Sequence, residues 1–493
     1  MQIGFKNFRR FKNFPKIELG GCTFLVGSNN SGKSTLIKAN ILLQNNRSKK
    51  ASGGATDPLL WNFSFAPEKG QAEHFYLGDF FSNLHEGVED RVITFRFESG
   101  NSDFVITLDG SSLNEDEPSI LVPVKEIIAC NHEYDITYKW KYFDSVSGEV
   151  EYTYNPKLIT SWLRDFWYDV TDGRRDFISG KYRKDWDQFA PPSLDDGFLD
   201  HRSREIDEFA DELGQIDGIK TESEEFYAQD RNLSYEDSAR RNYYLTRFLR
   251  DARSAISKDF NSFTSISYIE AHNASHKVIL NPEDKNDYLA QTVLKFKSEI
   301  GADSQEEAIN FVKKWMRSFN LGEAFEIKSL YNEAYTVDIL SANGQRRAIG
   351  NYGTGSIQLF ILLLNIAIGY VSKEKVTFCI EEPEQNLHPA LQSKLADMFY
   401  EVWKETESRI AFIVETHSEY LIRHIQVLVA KTIKKGDMNT PFKVFYFSGN
   451  DERPFYDMGF QKNGKFKEEF GPGFFNVADD AAMELYDLDD DAV

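Results

Sequence analysis

The sequence predicts an α/β fold with a mixed sheet core, an antiparallel lobe and a helical insertion. Three observations carry that expectation. Near the N-terminus an apolar strand, Cys22-Thr23-Phe24-Leu25-Val26, runs into Gly27-Ser28-Asn29-Asn30-Ser31-Gly32-Lys33-Ser34 and then a helix, Thr35 to about Leu43. Far downstream a second apolar strand, Val376-Thr377-Phe378-Cys379-Ile380, ends in Glu381-Glu382-Pro383-Glu384. Between the two lie alternating strands and then a charged, helix-favouring stretch.

The first stretch fits the spacing Gly, four residues, Gly-Lys-Ser/Thr, in the strand–loop–helix context of a phosphate-binding loop. Glycines there let successive N–H groups aim at phosphates, and the helix N-terminus adds positive potential. The expected nucleotide contacts are Gly27, Asn29, Asn30, Ser31, Gly32, Lys33, Ser34 and Thr35. Lys33 is expected to reach the β- and γ-phosphates and to assist catalysis, while the Ser34 hydroxyl sits on Mg²⁺.

The chain has 493 residues, room for two or three domains or for one with large insertions. A hydrophobic share of 41% with 14% aromatics can fill a sizeable core. The formal charge of −21, from 78 acidic and 57 basic residues, argues against a globally basic nucleic-acid coat. Cys22, Cys130 and Cys379 are scattered, with no pair at metal or redox spacing, which suits a reducing compartment. The N-terminus carries Lys6, Arg9, Arg10 and Lys12 without a long apolar core, so no signal peptide is expected. The uncharged run Ala348 to Ser372 has a polar, glycine-rich first half. Its apolar part, Ile357 to Val371, is shorter than the roughly 20 residues a bilayer needs. A cytoplasmic protein with no membrane partner is expected.

In order, Met1 to Val26 reads as two strands joined by a turn, with Phe14-Pro15-Lys16 breaking the first from Ile17-Glu18-Leu19. Asn45 to Thr56 reads as a flexible loop. Strands follow at Arg91 to Phe97 and Asp103 to Leu108, and more strand-like segments from about Leu121 to Tyr154. Beyond Lys157 helices are expected at 158–169, 203–213 and 235–260. The last of these carries Arg240, Arg241, Arg247, Arg250, Arg253 and Lys258, a pattern that could face nucleic-acid phosphates. Interleaved Glu236, Asp237, Asp251 and Asp259 favour an ordinary solvated face. Strand character returns at Phe263 to Glu270, followed by a core-facing helix at Gln305 to Asn320 and an edge hairpin from Phe325 to about Ile349, turning at Asn343-Gly344.

The C-terminal half supplies the acids that a phosphate loop needs. At the strand end, Glu381 is assigned to the Mg²⁺ shell and Glu382 to orienting and deprotonating the attacking water. Asn386-Leu387-His388-Pro389 follows at once. Ile410 to Val414 is another apolar strand, ending in Glu415-Thr416-His417-Ser418. His417, at a strand tip, is placed to hydrogen-bond the γ-phosphate. Ahead of both strands, Gly353-Thr354-Gly355-Ser356 opens the apolar helix Leu359 to Gly369 and makes a second anion site. One chain needs one phosphate cradle, so Gly353, Gly355 and Ser356 are expected to close on the nucleotide of a second subunit.

This set of motifs, in this order, resembles the ABC-type ATPases of the RecF/SMC/OLD group, and most nearly the stand-alone bacterial AAA-type ATPases of that clade. Phe8-Arg9-Arg10-Phe11 resembles their N-terminal strand, and the run Ile380 to Pro389 their Walker-B and D-loop segment. Glu415 to Ile422 resembles their switch-histidine segment, and Asn463 to Phe475 a common C-terminal one. The signature departs from the transporter-like spelling, being Gly-Thr-Gly-Ser-Ile-Gln, and neither Gln44 nor Gln71 can be assigned as the Q-loop glutamine.

The resemblance implies a P-loop NTPase of ABC-ATPase type with ATP and Mg²⁺ as cofactors. Residues 1–125 and 265–478 would be the two halves of the ATPase head, 126–264 a mainly helical insertion and 479–493 an acidic tail. It further implies a head-to-tail homodimer that serves as sensor or scaffold for a separate effector nuclease, as in anti-phage systems such as Septu and PARIS. Only about 75 residues follow His417, and Asp487-Leu488-Asp489 has no strand before it, so no nuclease domain is expected in the chain itself. The alternative is a RecF-like DNA-binding repair factor.

Overall fold

The computed structural model describes residues 2–48, 62–65, 77–142, 148–154, 236–261, 265–271, 274–330, 334–436, 440–471, 481, 483 and 484. The first strands are β1 (Gln2–Phe8), β2 (Phe11–Glu18) and β3 (Cys22–Gly27), followed by helix α1 (Lys33–Ser48). Then come β4 (Asn62–Ser64), β5 (Val92–Ser99), β6 (Ser102–Asp109), β7 (Leu121–Asn131), β8 (Ile136–Tyr142) and β9 (Gly148–Tyr154). Helix α2 (Glu236–Asn261) precedes β10 (Ser265–Ile269), α3 (Tyr288–Glu299) and α4 (Ala302–Ser318). The small strands β11 (Ala324–Leu330), β12 (Ala334–Leu340) and β13 (Arg346–Ala348) lead to α5 (Thr354–Val371). The chain continues through β14 (Val376–Glu381), α6 (Pro389–Glu405), β15 (Ile410–Glu415), α7 (Glu419–Lys434), β16 (Phe442–Phe447) and β17 (Phe455–Asp457).

Two large sheets organise these elements. The first is antiparallel, in the order β2-β1-β5-β6-β7-β8-β9, with β4 paired to β7. Its hairpin β1–β2 places phenylalanines three apart so that Phe5 stacks on Phe14 at 4.6 Å and Phe8 pairs with Phe11. These rings are fully buried, each worth roughly 2 kcal/mol of transfer free energy. The second sheet runs β10-β14-β15-β3-β16-β17, parallel except for β17. Its central strands β3, β14 and β15 are nearly continuous apolar runs, because helix α6 covers one face and α1 with the phenylalanines of the first sheet covers the other, Phe14 stacking on Phe447 at 5.9 Å. The order matters for the site: β15 lies between β14 and β3.

Several elements differ from expectation. Helix α1 runs past Leu43 to Ser48, because buried Asn46 is anchored by β4: its Nδ2 donates to the Ser64 carbonyl at 2.8 Å and its Oδ1 accepts from the Ser64 N–H at 2.6 Å. Residues 49–56 lie outside the described residues. Strand β2 passes through Pro15 without a break, since it is a sheet edge where the missing N–H costs no ladder bond. The antiparallel sheet crosses the boundary expected at 125 and extends to Tyr154, its β7–β8–β9 meander continuing the same ladder. The expected hairpin at Phe325 to Ile349 is a three-stranded sheet, with Asn343-Gly344 turning β12 into β13. Expected helices at 158–169 and 203–213, and most of the acidic tail, fall outside the described residues.

Helix α2 realises the expected 235–260 helix and docks by an apolar stripe, Phe248, Leu249, Ala252, Ile256 and Phe260. Phe260 meets Phe104 edge-on at 5.3 Å, and the Tyr138 hydroxyl donates to the Leu249 carbonyl. Asp259 is committed to the β5–β6 turn, accepting from the Ser102 hydroxyl at 2.7 Å and the Asn101 N–H at 3.0 Å. Arg250 and Lys258 face solvent. Helix α5 has the length and composition of a membrane span, but 72% of it is buried inside the fold, packed among α3 and α4.

Candidate nucleotide site

The site forms at the C-terminal ends of β3, β15 and β14. The loop after β3 turns through Gly27 (φ 143°), Asn30 (φ 60°) and Gly32 (φ 102°), which opens α1 at Lys33. A Cβ on Gly27 would lie 2.4 Å from the Phe447 carbonyl, and one on Gly32 would lie 2.2 Å from the Phe11 ring. Both positions therefore need glycine on conformational and steric grounds. Arg10 braces the loop from the β1–β2 turn, donating to the carbonyls of Asn30 and Gly449. Asn29 and Asn30 are exposed, whereas Ser31 and Thr35 are buried. The Ser31 Oγ has no hydrogen-bond partner among the described residues.

Lys33 is 3% exposed and its Nζ donates to the carbonyls of Gly27 (3.1 Å) and Ser28 (2.9 Å). Burial lowers its pKa, opposed chiefly by the charge of Glu415. Glu415, at the tip of β15, lies 3.5 Å from Lys33 Nζ and accepts from the Ser34 hydroxyl at 2.7 Å. Glu381, one strand further at the tip of β14, stands opposite Glu415 in register. Burial, and next the charge of Glu415, raise the Glu381 carboxyl to about 7, while the Tyr268 hydroxyl donates to it. Ser34 therefore meets Glu415, a residue without an assigned role in the sequence, before Glu381, because β15 separates the Glu381 strand from the loop strand.

Glu382 follows in a left-handed conformation (φ 44°), a strained state for a residue with a side chain, costing on the order of 1–3 kcal/mol. Its N–H is held by the Glu415 carbonyl at 2.8 Å, and Gln385 Nε2 donates to its carboxylate at 3.2 Å. His417 Nε2 lies 3.8 Å from Glu382 Oε1. Burial, then the Lys33 charge, lowers the His417 pKa, which keeps the imidazole neutral at physiological pH. Beneath it, Glu384 is 6% exposed and accepts the His417 backbone N–H at 2.7 Å. Burial raises the Glu384 carboxyl to about 6. Ligand atoms of Glu382, Glu415 and His417 all lie within 4.8 Å of one another.

The donor set fits Mg²⁺. Glu381 Oε1 is buried with no partner among the described residues, and the nearby Ser34 hydroxyl and carboxylates are hard oxygen donors of the kind Mg²⁺ takes.

The second expected cradle stands apart, at the N-terminus of α5. Gly353 is its N-cap, a glycine with no side chain to cap the helix, and apart from its chain neighbours no described atom lies within 4 Å of where a Cβ would sit. A Cβ on Gly355 would lie 2.3 Å from the Asn386 carbonyl, so this helix end packs on the turn that follows Glu382. His276 reaches the same helix end, its ring 3.2 Å from Thr354 Oγ1. Ser356 is partly exposed. Gln44 lies inside α1 and on no loop, and Gln71 is outside the described residues.

The structure thus brings Lys33 and Ser34 of the phosphate loop together with Glu382 and His417, whereas Glu381 lies one strand further away, beside Glu415. Glu415, Glu384, Gln385 and Tyr268 are additional. An acid ending a second apolar strand was a usable signal for Glu415; the others carry no local pattern.

Comparison with known proteins adds the following. A family model described as an AAA ATPase domain matches residues 1–422. No curated protein matches the chain. Similar solved structures include an Smc head domain with an extended coiled coil from Pyrococcus furiosus, bound to the C-terminal domain of ScpA. It has 11% identity, coverage of 98% of each chain and a TM-score of 0.35. The SMC head domain from Thermotoga maritima has 13% identity, covers 91% of this chain and 95% of its own, and gives a TM-score of 0.32.

Proposed function

This chain belongs to the AAA ATPase domain family, and we propose that it is an ABC-type head of the RecF/SMC clade that hydrolyses ATP within a head-to-tail dimer. The observation that carries the reading is the convergence of Lys33, Ser34, Glu382, Glu415 and His417 at one set of strand ends. The loop N–H groups and Lys33 bind the phosphates, and burial of Lys33 strengthens that interaction by lowering the local dielectric. Glu381 and the Ser34 hydroxyl are the residues that would hold Mg²⁺. When bound, the ion would supply charge neutralisation for the phosphoryl group being transferred. Glu382, oriented by Gln385 and by its strained backbone, takes a proton from the attacking water. Neutral His417 hydrogen-bonds the γ-phosphoryl group and couples its presence to Glu382.

Gly353, Gly355 and Ser356 support the dimer: an open helix N-terminus with no side-chain cap suits the nucleotide of a second copy. The biological role we propose is a sensor or scaffold that gates a separate effector nuclease in anti-phage defence. Glu382→Gln tests the chemistry. It should bind ATP normally, hydrolyse it 10²–10⁴-fold more slowly and accumulate as an ATP-dependent dimer in light scattering. Hydrolysis at the normal rate would remove Glu382 from the role. For the biological role, Lys33→Ala should abolish phage protection while the protein still folds and co-purifies with its operon-encoded partner.

A further inference from the structure

Among the described residues, Glu415 is the carboxylate that engages both functional side chains of the phosphate loop. Strand β15 delivers it there by pairing with β3 on one side, Glu415 opposite Leu25, and with β14 on the other, Glu415 opposite Glu381. It is 6% exposed, accepts from the Ser34 hydroxyl at 2.7 Å and pairs with Lys33 at 3.5 Å. The carboxylate of Glu382 lies within 4.8 Å of it and Glu381 stands beside it in register, so negative charge is crowded where the loop motif puts the terminal phosphates. A triphosphate that draws Lys33 toward itself removes the ion pair of Glu415 and faces that carboxylate as a like charge in a poorly solvated place.

Resting on the ATP-binding reading above, we infer that Glu415 is a positioning residue that makes nucleotide binding conditional on a divalent cation. It orients the Ser34 hydroxyl toward the ion and repels triphosphate when no ion lies between them. The sequence assigns the cation to Glu381 and Ser34; Glu415 adds the coupling between cation and nucleotide. A merely structural Glu415 would tie β15 to α1 and leave that coupling unaltered.

The test compares the affinity of a fluorescent ATP analogue in excess Mg²⁺ and in EDTA, for wild type and Glu415→Gln. Glutamine keeps an oxygen for the Ser34 hydroxyl and removes the charge. Wild type should bind far more tightly with Mg²⁺. In Glu415→Gln the metal-free affinity should rise about tenfold or more and the Mg²⁺-to-EDTA ratio should shrink accordingly. A ratio equal to that of wild type, in a variant of unchanged melting temperature, overturns the inference. Should the glutamine variant not fold, Glu415→Asp decides the matter. It keeps the charge but withdraws it from Ser34, so Mn²⁺ affinity in the presence of the analogue should weaken several-fold by electron paramagnetic resonance. Unchanged Mn²⁺ affinity would overturn the inference equally. If wild type binds no analogue even with Mg²⁺, it is the ATP-binding reading that fails.

Discussion

The two glycine-bearing helix N-termini of this chain are built in opposite ways. At α1 the loop is enclosed: Gly27 and Gly32 leave no room for a Cβ, Arg10 clamps the turn, and Lys33 and Ser34 are engaged by Glu415. At α5 the N-cap Gly353 has, among the described residues, no neighbour where a Cβ would sit and no side-chain cap bond. Both ends carry the same partial positive charge. One is furnished with the lysine, acids and histidine of a candidate hydrolytic site; the other presents N–H groups, the Thr354 and Ser356 hydroxyls and the His276 ring. The contrast is what the proposed dimer requires: one end built to hold a nucleotide, the other a donor surface for a nucleotide held by a second copy.

The largest effect that would sharpen this contrast is expected at Gly32. Gly32→Ala forces a Cβ into the Phe11 ring in a left-handed backbone, so ATP binding should be lost in equilibrium dialysis, with destabilisation of several kcal/mol. Ser356→Arg at the other cradle should leave ATP affinity of the monomer unchanged while hydrolysis falls by about 10²-fold or more, read by phosphate release. Loss of nucleotide affinity in that variant would place both cradles on one nucleotide and break the comparison.

A smaller effect concerns the acid beneath His417. Burial raises the Glu384 carboxyl from 4.5 to about 6, so the protonated form is favoured by the fold. That contribution is full below 4.5 and is lost as pH rises through about 6. Chemical denaturation should therefore show wild type losing stability relative to Glu384→Gln between pH 4.5 and 7, on the order of 2 kcal/mol. A constant difference across that range would mean that the fold does not raise the Glu384 carboxyl above its unfolded value. The smallest effect is expected on α2. Its docked apolar stripe and the engaged Asp259 make it a structural helix, so Arg250→Ala and Lys258→Ala should change duplex DNA affinity by less than about twofold at any salt concentration. A drop of tenfold with a shallower salt slope would favour the RecF-like alternative.

Much of the site was legible because its parts are contiguous. Gly27 to Ser34 is a spelled motif, and Glu381, Glu382 and His417 end apolar strands. Strand order was not legible. That β15 separates β14 from β3 is a property of tertiary pairing, and it alone makes Glu415 the neighbour of Ser34. Glu384 reads as one more acid after Pro383 until its burial and its bond to the His417 N–H are seen. In the fold, Pro15 reads as a break until its edge position is seen, and α1 reads as ending near Leu43 because the partner of Asn46 lies 18 residues away on β4.

The most direct test of the two-cradle dimer mixes two defective proteins. Lys33→Ala keeps the α5 cradle and loses the phosphate-loop lysine; Ser356→Arg keeps the loop and loses the cradle. Each alone should be nearly inactive. Mixed in equal amounts, half of the dimers formed at random pair one of each, and each such dimer holds one intact composite site. ATP hydrolysis should then recover to roughly a quarter of the wild-type rate. A mixture no more active than its two components would contradict the head-to-tail arrangement.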